Sequence, residues 1–514
     1  MTASNAGQAM RADVPSGGMA SVLRNGRFVA LWLSQVTTQV GGNMVLFALT
    51  ILVYRLTVNP VTGQGSSTAV SLLLLAFLVP AVIFSAVAGV YVDRIDRRLI
   101  LIATNLARAA AFVAMFLVAE QLGGNERLIG IYLLTVLVAT LTTFFGPAEA
   151  AMIPIVVSRG ELMSANGLFT FTLQASFALG FAVLGPLFVT LFDVDLVLFI
   201  VAGLYLIAGA LCWKLPPHHP RDEDAGLADG LGETGRAVAG VIGQLREGLT
   251  YIRKDAGIFW ALMYLAITAS LIGVLGVLGP DFAISALGLR EQDFVVVVLP
   301  IGAGLVIGIL ALNVYGKYIP RRRVIEGGLI AMAVALGALA LAGPISGLLQ
   351  RADRAIAPID LGPLVSLLAV VVVLALILGF AYAWVAVPAQ TQLQEELPAD
   401  VRGRVFGVLN MLVSVASFLP IVIVGPVADR IGTPAVIMGS AVFVALTGVA
   451  SLLKAPPGNE AASSRSPTEH RHPVDPVAVT TSIGADVDMR QPAAVPPRVG
   501  TTDAEGDPDP GGHS

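Results

Sequence analysis

The chain has 514 residues and a net charge of −4, and 56% of its residues are hydrophobic whereas only 13% are charged. A soluble domain carries roughly 25% charged residues, so this composition predicts a membrane protein. The slightly acidic balance excludes the basic surface that nucleic-acid binding requires. A single cysteine, Cys212, excludes a disulfide framework and a cysteine metal cluster.

Apolar runs of about 20 residues, the length that crosses a bilayer, recur along the whole chain. Their apolar residues are continuous rather than alternating, which favours helices over the strands of a barrel. We therefore predict an all-α integral membrane protein with twelve transmembrane helices. Lys and Arg concentrate in alternate loops, which predicts that both chain ends are cytoplasmic. The segments are 28–53, 69–92, 98–119, 127–149, 166–191, 194–214, 257–280, 293–316, 324–345, 363–387, 404–427 and 433–454.

The first segment carries three amide side chains on one helical face. Gln35, Gln39 and Asn43 follow one another at intervals of four residues, so a helix places them in one stripe. Polar groups at membrane depth are costly and usually functional. We predict that this stripe forms part of a substrate cavity. The alternative is interhelical hydrogen bonding, which stabilises a membrane protein by about 0.6 kcal/mol per bond.

Between the second and third segments, residues 89–98 form a dense charged loop. The spacing of Gly89, Asp93, Arg94, Arg97 and Arg98 resembles the signature loop of major facilitator superfamily transporters. That resemblance implies two six-helix bundles with a substrate site between them near the bilayer midplane. It also implies that lipid, a small-molecule substrate and protons are the partners, and that the protein acts as a monomer.

In similar transporters the acid of this loop faces the start of the eleventh helix. The corresponding residues are Asp93 on one side and Arg402 and Arg404 on the other. We expect these charges to form a latch that breaks as the two bundles rock, and we expect Gly89 to permit close helix approach. The simpler alternative is that the loop arginines only hold the loop in the cytoplasm.

The third segment contains an arginine deep in the membrane. Arg108 lies about 15 Å from the cytoplasmic end of its helix, where it needs a counter-charge. Similar proteins often have an acid where this chain has Asn105 or Asn43. Two hypotheses follow: either Glu149 or Asp281 carries a proton that drives transport, or an anionic substrate neutralises Arg108.

The fifth segment weakly resembles a motif of drug antiporters, Gly-x-x-x-Gly-Pro. Here Gly180 and Gly185 are five residues apart, one more than the motif has. We predict that Gly185 and Pro186 bend this helix and pack it against a neighbour. The remaining polar residues expected in the cavity are Asn105, Arg108, Gln174, Tyr382, Trp384 and Asn410.

A polar linker divides the chain into two parts that echo one another. Gly146-Pro147-Ala148-Glu149 returns as Val387-Pro388-Ala389-Gln390, and Gly185-Pro186 returns as Gly425-Pro426. The linker includes an amphipathic stretch, 238–253, expected to lie on the membrane surface or to pack on the bundle. The predicted organisation is a cytoplasmic segment (1–27), an N-terminal bundle (28–214), a cytoplasmic linker (215–256), a C-terminal bundle (257–454) and a disordered cytoplasmic tail (455–514).

Further stretches resemble the branch of the superfamily that contains macrolide and multidrug exporters and the enterobactin exporter. They are residues 34–41, 52–57, 245–252 and 402–407. This resemblance implies proton-coupled export of a small amphipathic or anionic compound, drug-like or siderophore-like, across the inner membrane. The alternatives are uptake or lysolipid flipping, and a receptor or scaffold that does not transport. The chain has no phosphate-binding loop and no zinc-protease motif, so we expect neither an enzyme nor a cofactor or metal.

Overall fold

The computed structural model describes residues 19–92, 94–217, 256–348, 366–396 and 402–454, all within a compact unit of residues 1–458. The regular elements in these ranges are helices. The predicted surface helix 238–253 and the predicted tail 455–514 lie outside the described residues, as does Asp93.

We call described residues 19–217 the N-terminal half. The Asn25 side chain caps the helix Gly26–Leu56 by accepting hydrogen bonds from the backbone N–H groups of Arg27 and Phe28. Asp96 caps the helix Arg97–Gln121 in the same way, by accepting from the backbone N–H of Arg98. A π-helix, Ala178–Leu184, joins α6 to α7. The helices are α1 (Met19–Val22), α2 (Gly26–Leu56), α3 (Ser67–Val92), α4 (Arg97–Gln121), α5 (Gly124–Val156), α6 (Leu162–Phe177) and α7 (Gly185–Cys212).

We call described residues 256–454 the C-terminal half. Gly432, with φ of 87°, forms the tight turn between its last two helices, a backbone conformation that glycine adopts without strain. The helices are α8 (Ala256–Ser285), α9 (Val295–Tyr315), α10 (Arg321–Ala340), α11 (Leu367–Glu396), α12 (Arg402–Ile431) and α13 (Thr433–Lys454).

Ten helices in the described part of the chain are long and apolar enough to cross a membrane. The all-α membrane class is therefore confirmed, but the number twelve is not. The run from Arg159 to Cys212 counts as one span of 54 residues, although Asp193 within it has a non-helical backbone with φ of 65°. That residue separates the predicted fifth and sixth segments. Helix α12, which covers the predicted eleventh segment, is not among the ten.

The two halves use corresponding helix pairs. In the N-terminal half α3 packs on α5, and α4 packs on α5 and α7; in the C-terminal half α9 packs on α11, and α10 packs on α11 and α13. Each half surrounds a large cluster of buried apolar side chains. In a bilayer the hydrophobic effect contributes little to helix association, because lipid tails are themselves apolar. Close packing of this kind therefore supplies much of the attraction between membrane helices. The halves meet where α3 packs on α8 and α12, and where α9 packs on the π-helix.

Candidate functional site

Arg108 lies in the core of the N-terminal half, enclosed by helices α4, α5 and α7. It is 2% exposed, and its guanidinium lies 4.4 Å from the ring centroid of Phe145 and 4.7 Å from that of Tyr205. It donates to Asn105 Oδ1 at 2.7 Å and to Thr142 Oγ1 at 3.3 Å. Ring faces attract a cation and these oxygens accept its hydrogen bonds, but none of these four groups carries a full negative charge.

Glu149 lies one turn after Phe145 on α5 and within electrostatic reach of Arg108. It is 6% exposed, and its Oε1 atom has no hydrogen-bond partner among the described residues. Burial destabilises an ionised carboxylate, whereas a neighbouring guanidinium stabilises it. A reversible proton carrier requires this balance of opposing effects.

A chain of polar contacts links this pair to α2. Asn105 Nδ2 donates to Cys212 Sγ at 3.8 Å, and Cys212 contacts Ser34 Oγ at 3.2 Å. The predicted role of Asn105 and Arg108 in the substrate cavity stays a prediction. Both side chains are fully buried and bonded to each other, because the guanidinium needs polar neighbours inside the helix bundle.

The amide residues Gln35, Gln39 and Asn43 all lie on α2, but their hydrogen bonding differs. Asn43 Nδ2 donates to the carbonyl of Gln39 on the same helix at 2.8 Å, so this bond is intrahelical. Gln35 Oε1 is buried, and in the described ranges nothing donates to it. An unpartnered buried acceptor is destabilising, so this atom is a candidate for binding a group that the structure does not contain.

The C-terminal half offers an indole donor on α11. Trp384 packs against Phe380 with ring centroids 4.9 Å apart, and its buried Nε1 has no acceptor within the described residues. Tyr382 packs against the core of the same half. The predicted cavity residues Gln174 and Asn410 lie on described helices, but their side chains are outside what the structure describes.

The charged loop can be described only in part. Arg97 donates to the carbonyl of Ala151 at 3.3 Å, and the Arg98 guanidinium lies 5.7 Å from the Trp213 ring. Both contacts stay within the N-terminal half. A Cβ atom at Gly89 would meet no described atom within 4 Å, and the expected close helix approach at this residue stays a prediction. The predicted latch stays a prediction, since Asp93 and the side chains of Arg402 and Arg404 lie outside the described residues.

Asp281, the other predicted proton carrier, belongs to α8. It contacts Tyr54 near the end of α2, whereas Ser34 lies nearer the start of that helix. Tyr54 donates to its Oδ1 at 2.8 Å, and Thr433 donates to its Oδ2 at 2.5 Å. It is 7% exposed. Unlike Glu149, this carboxylate has both oxygens occupied by hydroxyl donors. Tyr54 belongs to the N-terminal half and Thr433 to the C-terminal half, so Asp281 connects the halves.

The extra residue between Gly180 and Gly185 is accommodated by the π-helix. Gly185 donates its backbone N–H to the carbonyl of Gly180, a bond that spans five residues instead of the four of an α-helix. Both glycines consequently face α2. A Cβ atom at Gly180 would lie 2.6 Å from the carbonyl oxygen of Val40, and one at Gly185 would lie 2.8 Å from Cβ of Phe47. The helical irregularity thus begins at Ala178 and the tight packing at Gly180, both before Gly185-Pro186.

Several residues of these sites were not predicted from the sequence. Tyr205 and Phe145 are aromatic residues in apolar helices, where most aromatics only fill the core. Tyr54, Arg55 and Thr433 stand at helix ends, where polar residues are common. Their roles depend on which helix ends meet in space. No group of three or more His, Cys, Asp or Glu that could hold a metal is found in the described ranges.

Known proteins similar to this chain are membrane transporters. The Major Facilitator Superfamily profile matches residues 31–420. The multidrug efflux pump Tap of Mycolicibacterium fortuitum is 25% identical over 437 residues, 84% of this chain and 96% of that protein. Macrolide efflux protein A of Streptococcus pyogenes is 22% identical over 79% of this chain and 90% of its own length.

Solved structures agree with this fold. The nucleoside transporter NupG superposes with a TM-score of 0.58 at 12% identity, covering 83% of this chain and 98% of NupG. The POT family transporter PepTSo gives a TM-score of 0.53, covering 84% of this chain and 97% of PepTSo. At these identities the likeness concerns the fold alone. The profile match and the ten apolar helices support the superfamily that the charged loop predicted. The two efflux proteins confirm the predicted resemblance to macrolide and multidrug exporters. The chain is a multi-pass membrane protein that belongs to the major facilitator superfamily.

Proposed function

We propose that the chain is a secondary active exporter that moves a small amphipathic compound out of the cell in exchange for protons. Glu149 carries the proton, and Arg108 is its electrostatic partner. The observation that supports this most strongly is a buried carboxyl oxygen without a hydrogen-bond partner in the described part of the chain, within electrostatic reach of a buried guanidinium. Ionisable groups inside a membrane bundle typically mark proton or substrate pathways.

The setting of Arg108 supports an amphipathic over an anionic substrate. An anion would have to displace the two aromatic rings that cover the guanidinium and replace its hydrogen bonds to Asn105 and Thr142. Gln35 and Trp384 instead offer one neutral acceptor and one neutral donor. Neutral, widely spaced polar groups and aromatic rings suit a mostly apolar ligand with few polar atoms.

The relatives support export as the direction, since the two described above are named efflux proteins. In the proposed arrangement the protein is a monomer in the inner membrane, with both chain ends in the cytoplasm, and it needs no cofactor and performs no enzymatic reaction. The two halves rock against each other and open the site alternately to each side.

The proposal is tested in proteoliposomes with ethidium and a macrolide as probes. We expect Glu149→Gln to lose accumulation driven by a pH gradient while keeping substrate counterflow, because counterflow needs the substrate site but no net proton movement. Asp281→Asn is the matched control, since it removes the other buried carboxyl charge. Its pH-driven transport should continue, with an altered rate.

Full pH-driven transport by Glu149→Gln would refute the role of this carboxyl. Absence of any probe transport by the unmodified protein, with and without a gradient, would refute export of such compounds and favour the receptor or scaffold alternative. A panel with a siderophore and a lysolipid then distinguishes the remaining substrate classes.

A further inference from the structure

Arg55, in the last turn of α2, joins the two halves at one end of the molecule, which we call the Arg55 end. Its Nε donates to Glu291 Oε1 at 2.5 Å, and another nitrogen donates to Gln292; both acceptors precede α9. The third nitrogen donates to Asp193 Oδ1 at 2.7 Å. Asp193 has the strained φ of 65°. One guanidinium thus connects a strained turn of the N-terminal half to the C-terminal half.

A second connection at this end is a helix cap supplied by the other half. Asp429, near the end of α12, accepts from the backbone N–H groups of Ser67 at 2.7 Å and Thr68 at 3.1 Å, and from the hydroxyl of Ser66 at 2.8 Å. These donors form the start of α3, where the helix dipole favours a negative charge. A Cβ atom at Gly425 would collide with Ser67, so the two helices are in close contact.

The hydrogen bonds from Tyr54 and Thr433 to Asp281 form a third connection between the halves, and they are buried. A layer of apolar side chains lies beside them. Ala283 and Phe294 belong to the C-terminal half, yet both are packed in the apolar core of the N-terminal half, 0% and 1% exposed. Phe294 stacks on Phe47 of α2 with ring centroids 5.1 Å apart and planes at 12°. The seal at the Arg55 end is therefore polar outside and apolar inside.

Contacts recorded at the opposite end stay within one half. In the N-terminal half Ser21 donates to Glu161 and Asn25 donates to the carbonyl of Val156. In the C-terminal half Arg321 pairs with Glu395 at 2.7 Å. Among the residues that the structure describes, the cross-half hydrogen bonds named above all lie at the Arg55 end.

We infer that Tyr54, Arg55, Asp281, Glu291 and Asp429 form a gate that holds the Arg55 end closed, and that releasing these bonds opens a path lined by Ala283 and Phe294. Polar contacts suit a gate because water replaces them when they break, so each stabilises the closed state only modestly. Interfaces with two discrete packings provide such switching. The inference depends on the alternating access of the proposed function but on neither the substrate nor the proton carrier.

The gate is tested by labelling a buried reporter cysteine. Cys212→Ser removes the single native thiol, and Ala283→Cys places a reporter beneath the gate. The control reporter is Ala335→Cys, buried at 1% exposure in the core of the C-terminal half and away from the interface. Purified protein in detergent is exposed to a hydrophilic maleimide, which requires no transport and no knowledge of membrane sidedness.

We expect Arg55→Gln and Asp281→Asn each to raise the labelling rate of the Ala283 reporter by about five- to tenfold, with the Ala335 reporter unchanged. The charge exchange Arg55→Glu with Glu291→Arg should restore much of the protection. Unchanged labelling of the Ala283 reporter in both variants would overturn the gate. An equal rise at both reporters without recovery in the exchange variant would also overturn it, since that pattern indicates loss of packing. Failure of the Glu149→Gln transport test alone would leave these results unaffected.

Discussion

Glu149 and Asp281 are both buried carboxyl groups in the membrane-spanning part of the chain, yet their surroundings differ. Glu149 lies inside one half, beside a buried cation, with one oxygen atom that accepts no hydrogen bond from the described residues. Asp281 lies between the halves, and hydroxyl groups from both donate to it. Burial alone therefore does not identify a proton carrier. We propose that its hydrogen-bond partners decide whether a buried carboxyl group exchanges protons or joins the two halves.

Helix α2 connects the two sites. Ser34 lies in the polar chain that leads to Arg108, and Tyr54 contacts Asp281. At 1.5 Å per residue the two positions are about 30 Å apart along the helix. A rigid helix that contacts both sites is a physical route by which protonation at Glu149 could bias the gate, because a packed helix moves as a unit.

The largest expected difference between the Glu149 and Asp281 sites is in the free energy of unfolding. Arg108→Met removes the cation and leaves Glu149 buried without its partner, so we expect a loss of about 3–5 kcal/mol in the free energy of unfolding. Asp281→Asn keeps an acceptor for Tyr54, and we expect a loss of about 1–3 kcal/mol. Chemical denaturation in detergent, monitored by tryptophan fluorescence, measures both.

The matched control for this pair replaces both charges. Arg108→Met combined with Glu149→Met should be more stable than Arg108→Met alone, since the double variant leaves no buried carboxyl group without a cation nearby. A double variant as unstable as the single one would show that Glu149 is not the electrostatic partner of Arg108.

Much of the fold was predictable from the sequence, because apolar length and the charged loop depend on local composition. The buried position of Arg108 was also predictable from its depth in a helix. Its partners Phe145 and Tyr205 were not, since they come from helices about 40 and 100 residues away in sequence, and no periodicity within one helix reports which faces meet. The hydrogen-bond partners of Asp281 were not predictable for the same reason, as its donors lie in α2 and α13.

The π-helix shows the limit of motif spacing. At 3.6 residues per turn, positions five residues apart point about 140° away from each other, so Gly180 and Gly185 should not share a face. The π-turn absorbs the extra residue, and both glycines contact α2. The spacing of an ideal α-helix therefore did not predict that both glycines pack against α2.

A smaller effect tests whether this packing holds α2 between the two sites. Gly180→Ala would place its Cβ atom 2.6 Å from the carbonyl oxygen of Val40, and such overpacking destabilises by about 1–3 kcal/mol. Gly203→Ala, on α7 with no described atom within 4 Å of its Cβ position, should be neutral or stabilise by up to about 1 kcal/mol. Thermal unfolding in detergent compares the two, and the same sign for both would contradict tight packing at the π-helix.

The smallest expected effect concerns Gln35, which shares with Glu149 an unpartnered buried oxygen but lacks its charge. Gln35→Leu removes an unsatisfied acceptor, so the free energy of unfolding should stay the same or rise by up to about 1 kcal/mol. If the amide binds substrate, KM for probe transport should rise about fivefold, because one hydrogen bond contributes about 1 kcal/mol. Thr37→Val is the matched control, since the Thr37 hydroxyl donates to carbonyl groups of its own helix. The pH dependence should be unchanged in both variants, because neither residue titrates. A KM unchanged in Gln35→Leu, or a shifted pH profile, would place Gln35 outside the substrate site and weaken the distinction between a neutral binding acceptor and the proton-carrying carboxyl of Glu149.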